Sequence, residues 1–397
     1  MVEPLEKPTD SNSLSRTVRL LGFISLCTDL ASEMVYPLTP SFLTRVLGAP
    51  AWTVGIVEGV AESTASLLKF YSGWLSDRVG QRKPFAVAGY GLGAIAKPLI
   101  ALSGVWVQVL GARFLDRVGK GLRAAPRDAL IAENCSAKQR GRAFGFHRSM
   151  DTTGALLGPL LGFWFLQQYP GQVRWLYGIA FLPALLGVVI LTLLVKEPKA
   201  RANAPQSSPQ FTLHGLSPSY RRYLLIIGLF SLGNSSDAFL LLRSQDLGIT
   251  TEQMLLLYAV FNVMEAFFGM SAGNLSDRVG RRPLLVAGYL VFALVYLGFA
   301  TAQSASVVWV LFAFYGLYST LTQGVQKAFV ADLVHPEQRG AEIGTFYMLV
   351  GFAALPASLI AGWLYTNVSV AAPFYFGAIA AMLSALLLTS SKLLTNL

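Results

Sequence analysis

The chain has 397 residues, 54% of them hydrophobic and 13% charged, which is more apolar surface than a soluble domain of this length can hide. It reads as a membrane protein, so its formal net charge of +10 is a signal of loop topology and implies no nucleic-acid partner. Its two cysteines, Cys27 in an apolar run and Cys135 in a polar turn, give neither a disulfide framework nor metal-ligand spacing, and with no phosphate loop, dinucleotide fingerprint or nucleophile elbow the sequence predicts no cofactor, no metal and no catalytic residue.

The polar start, Met1 to Leu14, lacks a short apolar segment ending in a small-residue cleavage site, so the first span is expected to stay in the mature protein. About twelve apolar runs follow, each long enough to cross a hydrocarbon core of about 30 Å. They are predicted at 17–45, 54–75, 84–102, 105–132, 142–167 and 174–195, then at 221–244, 253–275, 284–302, 306–332, 341–365 and 372–392, which makes an all-α membrane fold. The Pro-, Ser- and Gln-rich stretch from Lys196 to Ser219 reads as a linker, so residues 1–195, 196–219 and 220–397 are expected to be a first half, a cytoplasmic connection and a second half.

Several spans carry charge. The first has Asp29 and Glu33 on one helix face, just before Pro37 and Pro40, which bend or break a helix. Proton coupling needs such buried groups, whose hold on a proton is set by burial and neighbouring charge, and these two are its leading candidates. The second span repeats the four-residue spacing with Glu58 and Glu62. In the fourth, Arg113, Arg117, Lys120, Arg123 and Arg127 fall within an arc of roughly 120° and form a basic stripe about 20 Å long. Each charge facing lipid costs a few kcal/mol, so the stripe must face protein or water. Either it is an ion-pair network with Asp29, Glu33, Glu58, Glu62 and Asp151, or one or two of Arg113, Arg117, Lys120 and Arg123 receive an anionic group such as a carboxylate. Arg127 and Asp128 are expected at the cytoplasmic rim.

The fifth span places His147, Arg148 and Asp151 at three- and four-residue spacing, a second set of proton-coupling candidates in His147 and Asp151, although a lone histidine near a rim also serves structural roles. In the seventh, Gly233-Asn234-Ser235-Ser236-Asp237 is a polar patch. Asn234 and Asp237 are expected either to hydrogen-bond substrate or to bridge to a neighbour such as Arg243 or Glu265. The aromatic residues Tyr36, Tyr71, Trp164, Phe239 and Tyr258 are candidates for cavity walls or for packing.

The two halves are copies. Ser76-Asp77-Arg78-Val79-Gly80-Gln81-Arg82-Lys83-Pro84 returns as Ser276-Asp277-Arg278-Val279-Gly280-Arg281-Arg282-Pro283, and the stretch from Ala132-Glu133 to Gly145 returns from Ala331-Asp332 to Gly344. Equivalent halves in a hydrophobic chain point to a transporter. Short-loop bases gather at Arg78, Arg82 and Lys83, at Lys138, Arg140 and Arg142, and at Arg278, Arg281 and Arg282, which puts those turns and both termini in the cytoplasm. The duplication is also a control on the stripe, because Arg123 and Arg127 align with Thr322 and Gln326. A charge demanded by the fold alone would recur in both halves, so the first-half charge points to a specific function.

The run Gly73-Trp-Leu-Ser-Asp77-Arg78-Val-Gly80-Gln81-Arg82-Lys83, and more fully its copy from Gly273 to Arg282, resembles the signature loop of the major facilitator superfamily, in a prokaryotic, proton-coupled form. The resemblance covers the whole chain. It implies two six-helix bundles around a cavity that opens alternately to each side, lined by the first, fourth, seventh and tenth spans. It also implies a gating role for Gly73, Asp77, Arg78, Gly80, Gly273, Asp277, Arg278 and Gly280. Asp77 would latch the start of the eleventh span near Arg339 and Gly340, and Asp277 the start of the fifth near Arg140 and Gly141, when the cytoplasmic side is closed. A carboxylate at the partly positive start of a helix, with bases anchoring to phosphates, gives that latch a physical basis. Gly154-Ala-Leu-Leu-Gly158-Pro159-Leu-Leu-Gly162 resembles a family signature found largely in exporters, with Phe163 in place of its final glycine; Pro159 would bend the span and the glycines would let helices approach. Arg113 to Gly121 resembles a further family motif, with Asp116, Arg117 and Lys120 at positions normally neutral.

The leading expectation is a proton-coupled secondary transporter of the cytoplasmic (inner) membrane, acting as a monomer on a small anionic or amphipathic compound such as a carboxylate metabolite or an iron chelator. A multidrug proton antiporter is the alternative, and a non-transporting receptor the alternative of another class. Its partners would be substrate, protons and lipid, with no nucleic acid, and it is not expected to be an enzyme.

Overall fold

The computed structural model describes residues 14–136, 139–196, 216–334 and 339–391, apart from the side chains at 70, 77, 270 and 339–341. Lys138, most of the linker expected at 196–219, and the side chains of Asp77 and Arg339 lie outside the described residues. Within them the chain is helical and without strands. The first half comprises α1 (Arg16–Glu33), α2 (Trp52–Val79), α3 (Lys83–Leu102), α4 (Trp106–Glu133), α5 (Arg140–Gln168) and α6 (Val173–Leu194). The second comprises α7 (Pro218–Gly233, resuming over Ala238–Asp246), α8 (Thr251–Val279), α9 (Arg281–Thr301), α10 (Ala305–Leu333), α11 (Arg339–Asn367) and α12 (Ala372–Ser390). Several helices outrun their hydrophobic stretch by a few residues, since their polar last turns stand beyond the apolar layer.

Among the described residues seven helices are long and apolar enough to cross a membrane, and α8 makes an eighth if its two parts, which meet at 48°, are one span. The helices that fall short, α1, α2, α4 and α5, all belong to the first half, and all carry the charges noted above. Those charges pair across the inside of the bundle or open into its cavity, so hydropathy undercounts the spans.

Local chemistry sets the helix ends. The Ser217 hydroxyl caps α7 by accepting from the Tyr220 N–H at 3.1 Å, and Thr250 with Gln253 closes a capping box on α8. Gly80 (φ +70°) and Gly280 (φ +96°) turn the chain between α2 and α3 and between α8 and α9 in the left-handed region that favours glycine. Two helices are interrupted by irregular turns. After Glu33, Pro37 and Pro40 force α1 through a short 3-10 turn, Tyr36–Leu38, and the chain reaches Val46 by a π turn. In α7 the break falls at residues 234–237, about two hundred residues later.

The repeated basic loops are tied into their own bundles. Arg82 pairs with Glu133 at 3.1 Å, and its counterpart Arg281 with Asp332 at 2.9 Å. Lys83 Nζ donates to the Thr192 carbonyl at 2.8 Å, and Arg282 donates to the carbonyls of Leu388 (2.9 Å) and Thr389 (2.6 Å). Each loop thus clasps the ends of the fourth and sixth helices of its half. Helix-end carbonyls and carboxylates are thus within reach of the bases expected to anchor to phosphates.

The halves meet along α2 with α11 and α5 with α8, away from the basic turns. The Ser63 hydroxyl donates to the Gly351 carbonyl at 2.8 Å, and the Asn262 amide to that of Ala155 at 2.8 Å. A Cβ on Gly55 would lie 2.3 Å from the Ser358 carbonyl oxygen, so glycine is what lets α2 and α11 touch there. Toward the basic turns the halves part. A Cβ on Gly141, Gly145, Gly269 or Gly273 would meet no atom within 4 Å, and the Asp277 carboxylate is 72% exposed, 4.0 Å from Arg281 of the next helix. The Asp277 latch is therefore not made in this arrangement.

Candidate functional site

Between the halves lies a cavity of about 430 Å³. Helices α1, α4, α7 and α10 line it as the resemblance implied, joined by α2, α3, α6, α8 and α11. Its charged lining is balanced, with five acids (Asp29, Glu33, Glu62, Asp116, Asp237) and five bases (Lys97, Arg113, Arg117, Lys120, Arg123), so the basic stripe does not make it a positive chamber.

Most of the stripe is committed to neighbours. Arg113 Nη2 donates to both carboxylate oxygens of the fully buried Glu58, at 2.7 and 2.9 Å. Arg117 pairs with Glu62 at 2.9 Å, and Asp116 lies 3.7 Å from Arg113 and 3.9 Å from Arg117. The Tyr36 ring stands 5.4 and 5.9 Å from these two guanidinium groups. Arg123 covers the ring of Tyr90 at 4.6 Å. Arg127 pairs at 2.8 Å with Asp128, its neighbour in sequence. Lys120 differs: it is exposed to the cavity and makes no hydrogen bond or ion pair among the described residues. Of the acids proposed as partners, Glu58 and Glu62 serve, whereas Asp29, Glu33 and Asp151 make no ion pair with the stripe.

Asp29 and Glu33 open into the same cavity, and Glu33 Oε2 is buried without a hydrogen-bond partner. The glycines of α5 hold them there. A Cβ on Gly154 would lie 2.6 Å from the Leu26 carbonyl oxygen, one on Gly158 2.6 Å from that of Leu30, and one on Gly162 2.9 Å from that of Met34. The glycine row is thus a bed for the α1 backbone on either side of Glu33, and α5 runs as one helix through Pro159.

His147 and Asp151 do come together, with Nδ1 3.4 Å from Oδ2, and the Ser25 hydroxyl donates to Asp151 Oδ1. His147 is buried rather than at an open rim, and its Nε2 has no partner. This cluster sits between α1 and α5, apart from the lining of the cavity. Tyr315 donates to Asp237 at 2.6 Å, and Asn234 donates to the Tyr318 hydroxyl at 3.2 Å. The expected bridges from Asn234 or Asp237 to Arg243 or Glu265 are not found. Arg243 lies further along α7 and donates to the end carbonyls of α9, Phe299 (3.2 Å) and Ala302 (2.9 Å), while Glu265 accepts from Ser319. Tyr36 and Tyr258 do line the cavity, in edge contact at 5.4 Å. Phe239 is core, and Tyr71 and Trp164 are exposed and not among the residues lining the cavity.

One base was missed. Lys97 of α3 is 4% exposed and donates to the Gly93 carbonyl at 3.0 Å and to Ser32 at 3.4 Å. A single lysine inside an apolar span is a strong signal, since its insertion is costly unless it is used. The tyrosines Tyr315 and Tyr318 gave no such signal among the other aromatic residues. Among the described residues no group of three or more His, Cys, Asp or Glu is placed to hold a metal ion.

Comparison with known proteins bears on the whole chain. The sequence model of the Major Facilitator Superfamily matches residues 21–243 and, again, 224–393. An MFS-type transporter of Methanocaldococcus jannaschii, described as uncharacterized, is 37% identical over 391 residues, covering 97% of each chain. The multidrug resistance protein MdtH of Photorhabdus laumondii is 24% identical over 364 residues, 89% of each chain. The crystal structure of the human organic anion transporter MFSD10 superposes with a TM-score of 0.65 at 18% identity, over 94% of this chain and 99% of that one, a likeness of fold alone. With both halves matched and a relative of that identity along nearly its full length, the chain belongs to the major facilitator superfamily of multi-pass membrane transporters.

Proposed function

We propose that the chain is a proton-coupled secondary transporter of the cytoplasmic membrane that carries a small organic anion or amphipathic compound by rocking of its two halves. One observation carries the reading: Lys120, Asp29 and Glu33 open into one cavity without partners, while the other arginines of the stripe are engaged. Ionised, Asp29 and Glu33 hold Lys120 by charge; protonated, they leave it to an anion. Proton binding and anion binding then favour each other, and linkage makes that preference reciprocal. The same sign couples anion movement to proton movement in one direction, that is, symport. His147 and Asp151, joined through Ser25 to the helix that carries Asp29, are proposed as a second protonation site.

The basic turns are proposed to face the cytoplasm, with both termini, and the motif loops to close that side through Asp77 and Asp277. Residues 196–219 are proposed to tether two bundles that work as a monomer. The test is flux of labelled carboxylates in proteoliposomes with and without an imposed proton gradient. Gradient-driven anion flux that is lost in both Asp29→Asn and Lys120→Gln supports the reading; flux that is indifferent to the gradient sinks it. A second reading, export of amphipathic cations in exchange for protons, is favoured by the tyrosine faces of Tyr36 and Tyr258 and by the likeness to MdtH. A cation competes with protons for Asp29 and Glu33, so this reading predicts the opposite response to pH.

A further inference from the structure

The second bundle has a cavity of its own, about 240 Å³, that joins the central one at Ser231, Asn234, Asp237, Gln323 and Val350. Four rings, Phe230, Phe261, Tyr315 and Tyr318, share its lining with Asp237 and six uncharged polar side chains. Phe261 and Tyr315 have ring centroids 5.5 Å apart, and Tyr315 and Tyr318 5.4 Å apart. At the junction stands the Asp237 carboxylate, whose Oδ1 accepts from the Tyr315 hydroxyl at 2.6 Å. Asp237 makes no ion pair among the described residues. The next base along its helix, Arg243, is occupied by the carbonyls of Phe299 and Ala302.

In the first bundle Glu58, Glu62 and Asp116 each have arginines beside them, and Asp29 and Glu33 share their cavity with Lys120. A carboxylate inside a membrane attracts a cation when none is built in, because low dielectric strengthens the attraction. The rings decide which cation. Aromatic faces favour an ammonium, whereas a metal ion would find Asp237 as the single carboxylate among the lining residues.

We propose that this side cavity is a binding subsite for an organic ammonium group, held by the carboxylate of Asp237 and the faces of Tyr315, Tyr318 and Phe261. The proposal rests on the reading of Lys120 as the receiver of an anionic group, and extends it. The substrate is then amphoteric, with its acid end in the first bundle and its ammonium end in the second. One molecule spans the seam along which the halves rock.

The test is calorimetric binding to the purified full-length chain of three probes of similar size: phenethylamine, 3-phenylpropionate and phenylalanine. The native chain binds all three, phenylalanine most tightly. Asp237→Asn weakens phenethylamine about 10- to 100-fold, the range expected for a lost charge-assisted hydrogen bond, and leaves 3-phenylpropionate unchanged. Tyr318→Leu, which keeps the carboxylate, weakens the amine several-fold and decides the matter if Asp237→Asn does not fold. Phenethylamine that fails to bind the native chain, or that binds Asp237→Asn and Tyr318→Leu as it binds the native, overturns the proposal. Lys120→Gln reports separately on the anion reading: unchanged 3-phenylpropionate binding removes that reading and leaves the result for the amine standing.

Discussion

Replacing Glu58 by Gln should destabilise the first bundle more than any other single change in its polar interior. Glu58 is fully buried and takes three hydrogen bonds from Arg113, from Nε at 3.2 Å and from Nη2 at 2.9 and 2.7 Å. Removing one member of a buried pair leaves the other charge uncompensated, at a cost of about 3–5 kcal/mol. Asp116, 3.7 Å from Arg113 Nη1, retains part of the compensation, so the lower end, about 3 kcal/mol, is expected. With an unfolding entropy of about 2 cal/mol/K per residue, this lowers the midpoint by roughly 4 °C if the whole chain unfolds as one unit and roughly 8 °C if the first half unfolds alone. Thermal unfolding of the purified chain in detergent, followed by tryptophan fluorescence, measures it. The double variant Glu58→Leu with Arg113→Met removes both charges and should recover most of the loss, as apolar replacements of buried pairs do. A native midpoint in Glu58→Gln, or a double variant as unstable as the sum of the singles, would refute the reasoning.

Three further outcomes are expected. Gly158→Ala drives a methyl to 2.6 Å from the Leu30 carbonyl oxygen, lifting α1 off α5 at a cost of about 1–3 kcal/mol; Gly145→Ala on the same helix, with open space around it, should leave the unfolding midpoint unchanged. Asp277→Asn touches an exposed carboxylate and should leave stability unchanged, yet by removing the proposed latch it should raise the labelling of a cysteine placed at Gly145 under conditions that close the basic side. Arg82→Ala and Arg281→Ala each break a partly exposed ion pair worth about 0.2–1 kcal/mol, and the two losses should be alike, as the repeat demands.

The twelve spans were legible because the membrane demands long apolar runs, and their ends were blurred because polar last turns continue past the apolar layer. The break in α1 was legible from Pro37 and Pro40. The break in α7 showed in the sequence only as a polar patch, because Asn234 to Asp237 carry no proline. The four-residue spacing in α2 foretold two carboxylates on one face, and Glu58 and Glu62 do meet the stripe. What spacing along one helix could not give was distance between helices. It therefore left open whether Arg113, Arg117 and Arg123 were paired or free to receive an anion, and it is Glu58, Glu62 and the ring of Tyr90 that hold them. It also could not tell that Asp29 and Glu33 stand without partners beside Lys120. Lys97 was readable from its setting alone. The aromatic side cavity was not, since the rings that form it lie on α7, α8 and α10 and nothing distinguishes them from packing until those helices are placed together.

The basic loops after α2 and α8 hold a consequence for how the chain inserts. Arg82, Lys83, Arg281 and Arg282 are among the residues proposed to orient it, and the same four clasp the ends of helices within each half. The address label and the rivet are one side chain. A variant with these charges removed to invert the topology would also have loosened halves, so a loss of transport would not by itself report on orientation.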